Sequence, residues 1–214
     1  MKRIGFYGGS FDPVHNGHMA VARAVTKRFE LDRFVFIPAF HAPHKSLLKP
    51  MSAYDRYAML CLVTQNEARM NVSKIEIELP AKPFSVETLS SLNEEFADDE
   101  LFFVMGADSW MDITTWRQWE KMLMLTNHIV VTRPGIHIDT SHVTEEIRSR
   151  IIDIRSSEGG DLPAGKKHIF LSDLVNIDIS ATEIRRRARL SDPSWRRDVP
   201  PEVAIYVEKY QIYN

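Results

Sequence analysis

Residues 3–30 read RIGFYGGSFDPVHNGHMAVARAVTKRFE, and their order of patterns decides the fold. The opening RIGFY is a short apolar run stopped by Gly8-Gly9, which marks a buried strand rather than a helix. After His18, Val21, Ala22, Val25 and Phe29 recur at helical spacing with charges opposite, so an amphipathic helix follows. The connector GGSFDPVHNGH (8–18) carries a serine, a proline and two histidines besides its glycines. A turn and a helix cap need far less.

Working outward, the same alternation continues. RFVFIP (33–38) is a strand stopped by Pro38, and a helix capped by Ser52 follows, with Tyr57, Leu60, Cys61 and Thr64 on one side. VSKIEIEL (72–79) alternates as a strand does, FSVETLSSLNEEF (84–96) is helical, and LFFVMG (101–106) is a fully apolar strand. Thr115 and Gln118 form a capping-box pattern that starts another helix. HIVVTRPG (128–135) and HIFLSD (168–173) supply two more strands, and ISATEIRRRAR (179–189) and PPEVAIYVEKYQIY (200–213) are closing helices. Residues 139–167 are polar with a Gly/Pro-rich end and read as one exposed helix plus a surface loop. Strands alternating with helices imply right-handed crossovers and a parallel sheet covered on both faces, with ligands at the carboxyl ends of its strands.

The totals, 44% hydrophobic and 26% charged residues, are those of an ordinary soluble globular protein. At 214 residues, against a prior of roughly 150 per domain, it is read as one domain over 1–214 with the helices from about 180 packed on it. Lys plus Arg number 27 against 29 Asp plus Glu, a net charge of -2, which argues against nucleic acid as the main partner. The single cysteine excludes an internal disulfide and a cysteine-based zinc site, and Cys61 is read as a small core residue. MKRIGFYGG has an apolar run far shorter than a secretory leader or a span of ~20 residues, so a cytoplasmic location without membrane attachment is expected.

Two stretches carry chemistry. Gly8 and Gly9 let the backbone approach a ligand, and the N–H groups and dipole of the helix beginning near Gly17 favour an anion. His15 and His18, three apart, can face that same spot; the bland alternative is a glycine turn with two exposed histidines. No third ligand lies nearby to make them a metal site. The second stretch is ISATEIR, where Ser180 and Glu183 fit a capping box that would explain both without a ligand. That alternative leaves Arg185 over, placed to reach a phosphate held at the helix start.

GGSFDPVHNGH together with ISATEIR resembles the paired signatures of the nucleotidyltransferase superfamily that carries an H-x-G-H motif, here His15 to His18. The intervening HAPHK, PFSVETL, GADSW and TTW resemble the bacterial nicotinate-nucleotide adenylyltransferases, in the right order across residues 4–189. The resemblance implies a Rossmann-like doubly wound α/β fold, and a reaction joining ATP to nicotinate mononucleotide with release of pyrophosphate. Magnesium would be bound mainly through the ATP phosphates.

By the same resemblance His15, His18 and Arg185 are the catalytic set. Gly8, Gly9, Ser10, Phe11, Gly106, Arg133, Ser180 and Thr182 complete the ATP side. His44 and Lys45 match a phosphate-gripping pair, Asp108 a carboxylate for ribose hydroxyls, and Trp116 a ring that stacks on the pyridine. Ser85, with the N–H groups of Val86 and Arg117, matches the group that recognises the pyridine carboxylate. Phe84 and Ser85 stand where many relatives show tyrosine and threonine. A relative acting on phosphopantetheine and a nucleotide-binding module without turnover remain as alternatives, and homo-oligomerisation stays open.

Overall fold

The computed structural model describes residues 1–40, 51–79, 83–132, 138–155, 163 and 167–213. His44, Lys45 and Arg133 lie outside the described residues. The first strand β1 (Arg3–Gly9) runs into the loop 10–15 and then helix α1 (Asn16–Arg28), as the opening stretch predicts. Next come β2 (Arg33–Pro38), α2 (Ala53–Thr64), β3 (Met70–Val72), α3 (Ser85–Glu95) and β4 (Glu100–Gly106). Then follow α4 (Ala107–Met111), α5 (Trp119–Leu125), β5 (Asn127–Val131), α6 (Glu145–Arg148), β6 (Ile151–Asp153), β7 (Ile169–Ser172), α7 (Ala181–Arg189) and α8 (Pro201–Lys209).

Among the described residues the seven strands are all parallel, in the order β3-β2-β1-β4-β5-β7-β6. The order reverses between β1 and β4, where crossovers leave to opposite faces, so the crevice beyond their carboxyl ends is where such a sheet takes a ligand. Alternate strand residues fill two separate cores. Phe34, Phe36, Phe102 and Val104 face the layer of α1, α2, α7 and α8, whereas Val35, Ile37, Leu101, Phe103 and Met105 face α3, α4 and α5. Burial of one such phenylalanine stabilises the fold by about 2–3 kcal/mol. The predicted face of α1 is the buried one, since Val21, Ala22, Val25 and Phe29 all lie in the first core. Ile184, Val203, Ala204 and Val207 of α7 and α8 pack into the same core.

Five expectations are corrected. The strand expected over 72–79 is only the three-residue β3, because Ile77 and Glu78 turn back onto the Lys74 carbonyl and the alternation belongs to a turn. Residues 139–167 hold more than a helix and a loop: Ile151–Asp153 add the edge strand β6 beside β7. Thr115 ends a 3-10 turn and its hydroxyl donates to the Asp112 carbonyl, while α5 starts after Gln118 in a left-handed conformation with φ 49°, so no capping box joins them. Ser180 makes no side-chain cap bond, and Glu183 pairs with Arg186 at 2.7 Å instead. In α2 the buried face runs through Arg56, Met59, Leu60 and Thr64, and Cys61 is only half-buried. Ser52 does cap that helix, accepting from the Tyr54 N–H at 3.2 Å.

Candidate active site

The loop after β1 folds back on itself through an aromatic anchor. Phe11 takes a left-handed backbone conformation, φ 50°, which a bulky residue adopts only when its surroundings hold it there. Its ring is 2% exposed and packs edge-on against Tyr7, Phe36 and His18, with centroids 5.3, 5.5 and 5.0 Å away. Gly9 makes room for it: a Cβ there would meet the Phe11 ring at 2.9 Å. Phe11, expected on the ATP side, therefore offers a ligand its backbone and not its ring.

His15 and His18 lie together at the start of α1, their rings stacked 3.6 Å apart at 22°. The Nδ1 of His18 accepts the His15 backbone N–H at 3.2 Å. A neutral imidazole that accepts at Nδ1 carries its proton on Nε2, so Nε2 of His18 is a donor. A Cβ on Gly17 would touch the His15 ring at 3.1 Å and Ile179 Cβ at 3.8 Å. The segment leading into α7 thus lies directly against the H-x-G-H turn.

Arg185 closes that junction. Its Nη1 donates to the Asp12 carbonyl at 2.6 Å and its Nη2 to Thr182 Oγ1 at 3.3 Å. The neighbouring Arg186 and Arg187 are engaged by Glu183, and Arg187 also pairs with Asp198. Arg185 is the arginine of the run that reaches the loop after β1, and its bond to Asp12 ties together positions 173 apart in sequence. Gly8, Gly9 and Ser10, where β1 runs into that loop, are half-buried, and Ser180 and Thr182 stand at the start of α7.

Two residues that sequence patterning missed hold the loop from below. Arg56 is 1% exposed and donates to the carbonyls of Ser10 and Ala39, both at 2.5 Å, and of Met51 and Phe40, both at 3.3 Å. Burial pulls its guanidinium below the ordinary value, opposed chiefly by the nearby Asp12 carboxylate. Tyr213 donates its hydroxyl to Asp12 Oδ1 at 2.6 Å. A charged residue on the apolar face of YAMLCLV was the available signal for Arg56; for Tyr213 there was none.

On the other face of the sheet the remaining residues gather more loosely. Tyr7 pairs with Val104, so β4 delivers Gly106 beside Gly9, and Asp108 follows in the first turn of α4, exposed. Arg117 stacks its guanidinium 4.5 Å above the Phe84 ring, which brings the α3 start and the 116–117 turn together. Ser85 and Val86 are the first two residues of α3, whose leading N–H groups have no acceptor within the helix. Val86 buries its side chain, leaving only its N–H for a ligand. Trp116 is half-buried against the second core.

A reversed-order parallel sheet with two helix starts and an arginine converging on one loop is the arrangement of a nucleotidyltransferase. Residues 6–187 match the cytidylyltransferase-like family, and the chain belongs to it, in its nicotinate-nucleotide adenylyltransferase branch. It is 35% identical over 212 residues, covering 99% of this chain and 88% of the other, to a protein of Corynebacterium glutamicum named "Probable nicotinate-nucleotide adenylyltransferase". A Neisseria meningitidis protein of the same name is 34% identical over the full length of both chains. Among solved structures, the Plasmodium falciparum nicotinic acid mononucleotide adenylyltransferase complexed with NaAD shares the fold with a TM-score of 0.78, at 19% identity over 100% of this chain and 98% of that one.

Proposed function

We propose that the chain transfers the adenylyl group of ATP to nicotinate mononucleotide, giving nicotinate adenine dinucleotide and pyrophosphate, a step of NAD biosynthesis. The observation that carries this reading is the junction of the two phosphate motifs, tied by the Arg185 to Asp12 bond and by Ile179 against Gly17. The family relationship supports the choice of substrates.

An oxygen of the mononucleotide phosphate is already ionised at neutral pH and attacks the α-phosphate in line, so no general base is required. The barrier is charge building on the phosphate oxygens, and cationic or N–H donors held in place beforehand lower it. His15, His18 and Arg185 supply them, with the α1 N–H groups behind. The leaving pyrophosphate departs with the bond to the α-phosphate breaking as the new one forms. Magnesium is proposed to arrive on the ATP phosphates: among the described residues no group of three or more His, Cys, Asp or Glu side chains is arranged to hold a cation, and the donors of the two motifs suit anions. It would supply further neutralisation of phosphate charge.

For the acceptor, Ser85 and the N–H groups of Val86 and Arg117 would receive the pyridine carboxylate, Trp116 would stack on the ring and Asp108 would take ribose hydroxyls. A site of donors favours an acid over an amide. Lys45 and His44 are proposed to grip phosphate, and Arg133 and Gly106 to flank the adenine. No helix among the described residues is long and apolar enough to cross a membrane, and we place the reaction in the cytoplasm.

Pyrophosphate release from ATP and magnesium, compared side by side with nicotinate mononucleotide, nicotinamide mononucleotide and phosphopantetheine, tests the reading. Fastest release with the nicotinate compound is expected. Equal rates on all three would overturn the specificity, and no release at all would overturn the enzyme.

A further inference from the structure

Asp12 poses a problem for a loop that takes anions. It is 8% exposed, its carbonyl accepts Arg185, its carboxylate acts on the Arg56 charge, and the Tyr213 phenol that touches this carboxylate feels the Arg185 charge as well. A carboxylate free to turn toward Arg185 would form a charge-assisted, two-pronged pair with it and occupy the guanidinium that a phosphate needs.

The end of the chain meets this problem. Beyond α8 the Gln211 N–H bonds to the Glu208 carbonyl at 3.2 Å and the Ile212 N–H to the Val207 carbonyl at 2.9 Å, which turns the chain back across the helix end. Gln211 and Tyr213 adopt left-handed backbone conformations, φ 52° and 75°, and Ile212 and Tyr213 pack against the first core. That packing offsets a strain of about 1–3 kcal/mol per residue. The outcome is a phenol hydroxyl 2.6 Å from Asp12 Oδ1. Burial, and then the Asp12 charge, push the Tyr213 phenol well above its ordinary value, so it remains a donor at neutral pH.

We propose that Tyr213 is a positioning residue for ATP: its hydroxyl pins the Asp12 carboxylate, which keeps Arg185 available to the triphosphate and holds the loop after β1 in its binding shape. The proposal rests on the reading of the two joined motifs as an ATP site. Tyr213 touches no substrate itself; it acts through Asp12.

Tyr213→Phe keeps the ring and its packing and removes only the hydroxyl. Equilibrium titration of the full chain with ATP and magnesium is expected to show affinity weakened about tenfold, the loss of one hydrogen bond to a charged group, with the KM for nicotinate mononucleotide and the melting temperature nearly unchanged. In an Asp12→Asn background, where no carboxylate competes for Arg185, the same substitution should change ATP affinity less than about twofold. Unchanged ATP affinity in Tyr213→Phe would overturn the proposal, as would losses that multiply in the double variant, or a fall in melting temperature with both substrates weakened alike. Failure of the unsubstituted chain to bind ATP would overturn the ATP site itself, and this proposal with it.

Discussion

The two halves of the site are built differently. On the proposed phosphate side, the loop after β1 is held by a buried aromatic ring, by Arg56 on the Ser10 carbonyl, by Arg185 on the Asp12 carbonyl and by Tyr213 on the Asp12 carboxylate. These partners come from α2, α7 and the chain end, three elements far apart in sequence. On the proposed pyridine side, Asp108 and Arg117 are exposed, and the contact that draws 84–86 toward 117 is a cation over a half-exposed phenylalanine ring. Such an exposed contact contributes about 0.5–1 kcal/mol. Under the proposed assignment rigidity is spent where charge would develop, since donors aimed at a transition state work only when they need not reorganise. Recognition of the acceptor would then be left to surface turns.

The contrast can be broken by substitution, the largest effect first. His18→Ala removes a donor from the rigid half and should lower turnover on the order of a hundredfold to a thousandfold in a pyrophosphate-release assay. A variant that keeps its turnover would show that the rigid half does no chemistry. Arg56→Met retains bulk but leaves the partly buried carbonyls of Ser10 and Ala39 without their donor. Urea denaturation should register a loss of about 2 kcal/mol, within the range for hydrogen bonds from a charged group. A loss below about 1 kcal/mol would mean water replaces the guanidinium and the loop is less tightly held than described. Trp116→Ala should act on the loose half alone, raising the KM for nicotinate mononucleotide about tenfold through lost stacking while leaving that for ATP in place. If both constants rise together, the two halves are not separable.

Much of this was legible in the sequence, for reasons that differ by element. The strands β1, β2, β4, β5 and β7 are buried on both faces, and such strands show as continuous apolar runs. The edge strand β6 has three half- to fully exposed residues and leaves no such trace. Residues 74–79 alternate like a strand, yet only Ile77 is deeply buried, so a turn satisfies the same pattern. The capping-box spacings at 115/118 and 180/183 failed because Gln118 takes a left-handed conformation and Glu183 finds arginines within reach. Within the proposed site, His15, His18 and Arg185 stood out because they sit in two short motifs at helix starts. Arg56 and Tyr213 act only through contacts that the complete fold creates, with 46 positions between Arg56 and Ser10 and 201 between Tyr213 and Asp12.

The central claim is that the turn at 15–18 and the start of α7 form one cradle for a triphosphate. A crystal structure of the chain with a non-hydrolysable ATP analogue tests it most directly. The account predicts the triphosphate between the N-termini of α1 and α7, within hydrogen-bond distance of both the His18 imidazole and the Arg185 guanidinium. An analogue bound with neither side chain touching its phosphates would contradict it.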